Sequence, residues 1–441
     1  MKIQLPKKVN LIINRLMSNG YDAYAVGGCV RDSVLGRIPD DWDITTSAKP
    51  KEVKELFERT IDTGIAHGTV TVMLDHDGFE VTTYRIDGEY EDSRHPKSVE
   101  FTGDLLEDLR RRDFTVNAMA YNDEIGLVDA FQGMQDLNNK IIRCVGVAEE
   151  RFGEDALRIL RAIRFSAQLD FQIESNTKKA IQNLAGNLDY ISLERIQVEL
   201  VKLLVSNHPT RLRVAYETGV TKAILPEFDQ LMTCEQNNQH HIYTVGEHTL
   251  RAINYIESSK VLRLTMLFHD IGKPYTNTRD ENGVDHFYGH DELGVKMTSI
   301  ILKRLRFDND TMNRVGLLVK YHDLNIESNK KSVRRAMNKI GEEHFHDLLK
   351  VKKADALAQS MYMREEKLNN IEVVEKLFHE IKQDNECVSL KELAITGKDL
   401  LANGIEPGIK IGIILNKLLE EVLENPERNN FNYLISRANQ I

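Results

Sequence analysis

At 441 residues the chain is long enough for two to four domains with substantial cores, and 41% hydrophobic with 29% charged residues is ordinary for a soluble protein. A formal net charge of −10 excludes a globally basic nucleic-acid binder, so any RNA contact must rest on local basic patches. Four scattered cysteines, Cys29, Cys144, Cys234 and Cys387, include no C-x-x-C pair, which argues against a disulfide framework or zinc–thiolate site and suits a reducing cytosol.

The N-terminal stretch MKIQLPKKVNLIINRLMSNG predicts an amphipathic helix and not a signal peptide. No apolar run approaches the roughly 18 residues of a membrane span, so the expectation is a cytoplasmic protein with no membrane partner. Residues 23–26 predict a strand that ends in Gly27-Gly28-Cys29-Val30-Arg31-Asp32. Two glycines let backbone N–H groups approach a bulky anion, and Arg31 offers a fork for phosphate oxygens. About ten residues on comes Asp41-Trp42-Asp43. In an extended segment Asp41 and Asp43 share a face and Trp42 turns away. The pair reads either as a solvated turn or as a holder of hard cations, of which Mg²⁺ suits oxygen ligands best.

Residues 51–58 predict a helix. Residues 68–74 alternate as a strand, Asp77-Gly78 predicts a hairpin turn, and residues 79–84 predict the returning strand. That strand carries Glu80, either a surface residue or the third carboxylate of a two-metal site. Residues 85–101 are polar and aperiodic with a proline, which predicts a mobile loop. In residues 110–120, RRRDFTVNAMA, three arginines precede Asp113 and Asn117. They read alone as an exposed helix start, and burying them needs an anion.

Residues 154–165, EDALRILRAIRF, predict a helix with Leu157, Leu160 and Ile163 on one face. Asp155 and Arg158 at i and i+3 form either an intrahelical ion pair or a base reader. A carboxylate accepts from the exocyclic amine of cytosine or adenine, and a guanidinium donates to the ring nitrogen, whereas G and U present the opposite pattern. A boundary is expected near Pro226. Beyond it, His248, His269-Asp270, His290, His322 and Asp355 fall on predicted helices, a set suited to a bundle interior gathering imidazoles and carboxylates around one or two transition metals. His286 and Asp323 are weaker candidates. Residues 330–353 hold eight Lys/Arg against three acids, either an RNA-facing patch or a solvated helix face. No repeats or low-complexity segments occur.

The stretch GGCVRDSVLGRIPDDWDITT resembles the head of the bacterial class II CCA-adding tRNA nucleotidyltransferases and the related poly(A) polymerases, within the DNA polymerase beta superfamily. The resemblance implies an α+β architecture in four parts. These are a polymerase-beta-like head of mixed sheet and helices (1–146), a helical neck (147–228), an HD (HDIG-type) domain (229–365) and a helical tail (366–441) that grips tRNA. It implies that Asp41, Asp43 and Glu80 are catalytic with Mg²⁺. Gly28, Arg31, Arg112, Asp113, Asn117, Asp155, Arg158, Arg161 and Arg164 would bind nucleotide, and Asp129 with Gly133 would close the head. The loop at 85–101 would help admit ATP after two CTPs. His248, His269, Asp270 and Asp355 would form one HD metal site, and His290 and His322 a second with Asp270 bridging. The implied reaction is template-independent addition of C and A from CTP and ATP to the tRNA 3′ end, with no obligate protein partner. Rival readings are an A-adding-only enzyme or poly(A) polymerase, a metal-dependent phosphohydrolase with a nucleotide-binding head, and a small-molecule nucleotidyltransferase.

Overall fold

The computed structural model describes residues 2–88, 99–240 and 242–441. The chain forms two compact units, Met1–Pro226 and Glu227–Ile441.

The first unit opens with helix α1 (Lys7–Ser18), whose Val9, Ile12, Ile13 and Leu16 recur at helical spacing and are buried. Strand β1 (Ala23–Val26) is buried along its whole length, as a central strand covered on both faces must be. It is followed by α2 (Gly28–Val34), β2 (Ile44–Thr46), α3 (Pro50–Leu56), β3 (Thr60–Gly64), β4 (Thr69–Leu74) and β5 (Asp77–Thr83). With β8 (Ala120–Asn122) and β9 (Gly126–Val128) these strands make a seven-stranded mixed sheet in the order β3-β4-β5-β2-β1-β8-β9. Only β2 and β5 run parallel, with Ile44 beside Val81.

Two local expectations in the sheet region are corrected. The β4–β5 turn is Asp75-His76, since Leu74 pairs with Asp77. Asp75 takes the left-handed conformation (φ 56°) that Asp tolerates, so Gly78 is left inside the strand. The ends of the expected loop at 85–101 are strands β6 (Arg85–Asp87) and β7 (Val99–Phe101), paired antiparallel. Residues 89–98 lie outside the described residues.

Helices α4 (Leu105–Arg110) and α5 (Gly133–Asn139) complete the sheet region; Asp129 caps α5 by accepting the N–H groups of Gly133 and Met134. There follow α6 (Ala148–Glu154), α7 (Leu157–Leu169), α8 (Ser175–Leu184), α9 (Leu193–Leu204), α10 (Leu212–Glu217) and α11 (Val220–Ile224). The single helix expected over 154–165 is broken at Asp155, which is extended (φ −141°, ψ 103°). Its carboxylate accepts the N–H of Leu157 at 3.0 Å, the local competition with helix that a short acidic side chain offers.

The second unit is helical. After α12 (Pro226–Thr233), α13 (Val245–Tyr255), α14 (Lys260–Phe268), α15 (His290–Arg304), α16 (Asn309–Tyr321) and α18 (Glu342–Ala358) pack as a bundle, with α17 (Lys330–Ile340) beside α18. The tail is α19 (Arg364–Gln383), α20 (Gly397–Ala402), α21 (Ile409–Glu424) and α22 (Phe431–Ala438). Much of the basic stretch at 330–353 is spent on this packing. Lys330 and Arg334 pair with Glu386, Lys331 with Glu424, and Lys350 with Glu257.

Candidate functional site

Gly27 ends β1 with φ 84°, and a Cβ there would stand 3.0 Å from Nη1 of Arg112. Only glycine lets the backbone turn here while the Arg112 guanidinium lies against it. Arg112 also donates to Asp108 at 3.4 Å, yet its Nε is buried and finds no hydrogen-bond partner among the described residues. Such an orphaned donor next to a glycine turn is suited to an anion. Opposite stands the acid pair. Asp41 and Asp43 are exposed, and the backbone carbonyl of Asp43 accepts from Val26 N–H at 3.0 Å, which ties the pair to β1. Although Asp43 keeps contact with solvent, partial loss of hydration pushes its carboxyl up and the Asp41 charge adds to this, against the pull of Arg112. Glu80 is exposed on β5 opposite Thr71, and one further step of the β2–β5 register would set it beside Asp43 on the same face.

A network then runs from the glycine turn to α7. Arg31 is buried, with its fork on Asp32 (3.0 and 2.7 Å) and Nη1 donating to Asn117 Oδ1 at 2.6 Å. Asn117 donates to Asp113 at 3.1 Å, and Asp113 accepts from Nε and Nη2 of Arg161 at 2.8 and 2.5 Å. Burial alone would raise the Asp113 carboxyl, but Arg161, Asn117 and Arg158 bring it down to about 2. Arg31, Arg161 and Arg164 all lie over the Phe165 ring, at 5.1, 5.4 and 3.9 Å from its centre. Arg164 also pairs with Glu199 on α9 at 2.5 Å.

Asp155 and Arg158 sit where α6 gives way to α7. Asp155 is paired with Arg195 of α9 at 2.7 Å, and Arg158 with Glu154 at 2.6 Å, while Arg158 also donates to the Arg111 carbonyl at 3.0 Å. Sequence reasoning missed Arg195 and Phe165. Arg195 is one helical turn before Glu199, the only signal that both face α7.

In the second unit six expected residues converge. His248 and His269 meet through Nε2 at 3.1 Å, and Asp355 Oδ1 is 2.9 Å from His248 Nε2. Asp270 bridges, with Oδ2 3.6 and 3.3 Å from His248 and His269 and Oδ1 3.7 and 3.6 Å from His290 and His322. Nδ1 of His269, His290 and His322 each lies 2.7–2.8 Å from the carbonyl three residues back, which turns every Nε2 inward. Gly272 is required: a Cβ would run into the His290 carbonyl oxygen. Two groups able to hold a metal result, His248/His269/Asp270 and Asp270/His290/His322. Burial alone would lower His269, but Asp270 and Asp355 raise it to about 10, an excess of negative charge that a bound cation would relieve. Nitrogen with carboxylate suits a transition metal. Lys273, also unforeseen, pairs with Asp270 at 2.8 Å. A cavity of about 860 Å³ opens on the cluster, lined also by His286, Lys320, Asp323 and Lys367. His286 stacks on Tyr288 and is bonded to Asp280, outside the cluster. Among the described residues, groups of three ligating atoms occur only here, and the head carboxylates make none.

Sheet, glycine turn, acid pair and helical continuation together define a nucleotidyltransferase of the poly(A) polymerase head type. The family model "Poly A polymerase head domain" matches residues 23–143, "Probable RNA and SrmB- binding site of polymerase A" matches 170–232, and "tRNA nucleotidyltransferase domain 2 putative" matches 292–438. The chain belongs to the family of CCA-adding enzymes. It is 32% identical to the CCA-adding enzyme of Pediococcus pentosaceus over 98% of this chain and 96% of that one, and 33% identical to that of Ligilactobacillus salivarius over 99% and 96%. The crystal structure of the Bacillus stearothermophilus CCA-adding enzyme in complex with CTP superposes with a TM-score of 0.76 at 28% identity, over 99% of this chain and 98% of that one. The Thermotoga maritima enzyme complexed with tRNA shares the fold, with a TM-score of 0.60 at 22% identity over 100% and 99%. Among the described residues no helix is long and apolar enough to cross a membrane.

Proposed function

We propose that this chain adds C and A, without a template, to the 3′ end of tRNA in the cytoplasm, using CTP and ATP and releasing pyrophosphate. The observation that carries the reading is the unbroken link Arg31–Asn117–Asp113–Arg161, which joins the glycine turn beside the acid pair to the helix that bears Arg158. The four-part division at 146, 228 and 365 remains our assignment within the two units.

Asp41 and Asp43 fit Mg²⁺ as hard oxygen donors, with Asp43 raised first by loss of hydration and further by the Asp41 charge, and with Glu80 as the third carboxylate. Mg²⁺ held there supplies charge neutralisation at the phosphates. Gly28 and Arg112 meet the nucleotide at the turn, where the orphaned Arg112 Nε offers a donor. Arg31, Asp113 and Asn117 hold the floor beneath it, and Arg161 and Arg164 set positive charge on the α7 side. Asp155 accepts from the base amine and Arg158 donates to the ring nitrogen, so C and A are served alike. The tRNA 3′-hydroxyl attacks the α-phosphate and pyrophosphate leaves.

Extension of tRNAs ending at the discriminator base, at C and at CC, with labelled CTP or ATP, tests this. Incorporation of C on the first two and A on the third is expected. Incorporation of A alone gives the A-adding or poly(A) reading. The bridged cluster in the second unit favours an additional activity. His248, His269, Asp270 and Asp355, with His290 and His322, fit one or two transition metals for phosphoester hydrolysis, which is lost on Asp270→Asn.

A further inference from the structure

The cavity on the metal-ligating cluster of the second unit has an annex. A recess of about 210 Å³ opens beside Asp355 and shares Asp323, Gln359 and Lys367 with the larger cavity. Lys352 of α18 lines it as well, with Ile326 and Ile371 as apolar wall. Two lysines therefore meet in a small space. Lys367 of α19 is half-buried, and its ammonium donates only to neutral acceptors, Gln359 Oε1 and His240 Nδ1. Lys352 donates to the carbonyls of His322 and Leu324 at 3.0 and 2.9 Å. An ammonium has three donors, so each lysine keeps one N–H in hand. Among the described residues neither has an ion-pair partner, unlike Lys273, which is paired with Asp270. Burial accordingly holds both ammoniums below their ordinary value, against the pull of Asp323 and Asp355. Of those two acids, Asp355 belongs to the metal-ligating cluster and Asp323 is exposed to solvent. Gln359 joins annex and cluster: its oxygen takes the Lys367 ammonium, and its nitrogen donates to Asp355 Oδ2 at 2.9 Å.

We propose that the annex holds a second, non-reacting phosphate of the molecule hydrolysed at the cluster, with Lys367 as its main anchor and Lys352 behind it. The inference rests on the reading that the cluster hydrolyses phosphoesters. A cation taken out of water without a counter-ion is costly, and the annex does this twice within one recess. An anion entering it meets two ammoniums, each with a free donor, and the charge-assisted bonds it forms are the strong kind. The substrate class is then a compound with two separate phosphate groups. Water attacks phosphorus of the one at the cluster, the P–O bond to the alcohol breaks, and the alcohol oxygen leaves with a proton. The annex phosphate remains on that alcohol.

The test uses the full chain loaded with Mn²⁺ and two series of probes, straight-chain alkanediol monophosphates and α,ω-bisphosphates of increasing length. They carry no base, so the base reader of the first unit does not recognise them. Phosphate release gives kcat and KM for each probe in the wild type, Lys367→Met and Lys367→Arg. Calorimetric titration of the metal-free chain with the best bisphosphate reads the annex without turnover. At one chain length the wild type is expected to show a KM about tenfold lower for the bisphosphate than for the monophosphate, the scale of one charge-assisted hydrogen bond. Lys367→Met is expected to abolish that ratio and to weaken the calorimetric affinity by a similar factor, and Lys367→Arg to keep part of both. Because the preference is a ratio on one protein, a fall in folded fraction does not mimic it. Hydrolysis of both series with no preference at any length overturns the annex and leaves the hydrolase reading standing. A preference that Lys367→Met leaves within about twofold of wild type overturns the role of Lys367. Hydrolysis of neither series by the wild type overturns the hydrolase reading and this inference with it.

Discussion

Arg161 grips Asp113 with two N–H groups, at 2.8 and 2.5 Å, across forty-eight residues of sequence. Asp113 is buried, and its carboxyl is nevertheless held down to about 2, because this guanidinium, with Asn117 and Arg158, outweighs the loss of hydration. One side chain thereby ties the segment after α4 to α7.

Arg161→Met leaves that charge without its main partner. Breaking this half-buried pair from one side leaves the buried Asp113 charge short of a partner and costs about 1–3 kcal/mol, which urea unfolding of the first unit's transition should show. The pH dependence follows from the sign of the shift. A carboxyl held at about 2 instead of its ordinary 3.8 contributes stability that is complete above about pH 5 and is lost as pH falls toward 2. The wild type is therefore expected to lose unfolding free energy over that range, and the variant to show a shallower slope.

At the glycine turn, Gly27→Ala acts twice. At φ 84° and ψ −130° the backbone lies outside the left-handed helical well, which strains an L residue by about 1–3 kcal/mol, and the new methyl presses on Arg112 at 3.0 Å. A modest loss of stability with a several-fold rise in the KM for CTP and ATP is expected. Unchanged KM would mean that Arg112 does not meet the nucleotide.

Asp43 is exposed and its carboxyl is raised by crowding and by Asp41, so Asp43→Asn removes charge repulsion without opening the core. Stability is expected to hold or rise slightly. Transfer of CMP and AMP should fall by two orders of magnitude or more, given several kcal/mol of transition-state charge stabilisation at about 1.4 kcal/mol per decade. Single-turnover extension with labelled CTP measures it.

Asp270 touches both metal groups of the second unit, whereas His322 touches one. After loading with Mn²⁺ and desalting, elemental analysis should find metal retained by the wild type, less by His322→Ala and none by Asp270→Asn. CTP and ATP incorporation should be unaffected by either change. Equal retention in all three would remove the cluster as a metal site.

Residues close in sequence carried most of what could be read without a structure. The glycine turn, the Asp-x-Asp pair, the apolar stripes of α1 and α7 and the His-Asp motif are local patterns whose physics is set by chirality, strand alternation and helical period. Their chemistry is visible because residues i, i+2 and i+3 have fixed relative directions. The helix over 154–165 failed as an expectation because Asp155 competes for backbone N–H groups, an effect that periodicity does not register. The basic run at 330–353 read either as an RNA-facing patch or as a solvated helix face, since the acids that neutralise much of it, Glu257, Glu386 and Glu424, come from distant elements. Only the tertiary structure decided these pairings, together with the choice of Arg195 for Asp155, Arg161 for Asp113 and Asp270 as the bridge. A charge finds its partner by proximity in space, and sequence specifies that proximity only through the packing of the whole chain.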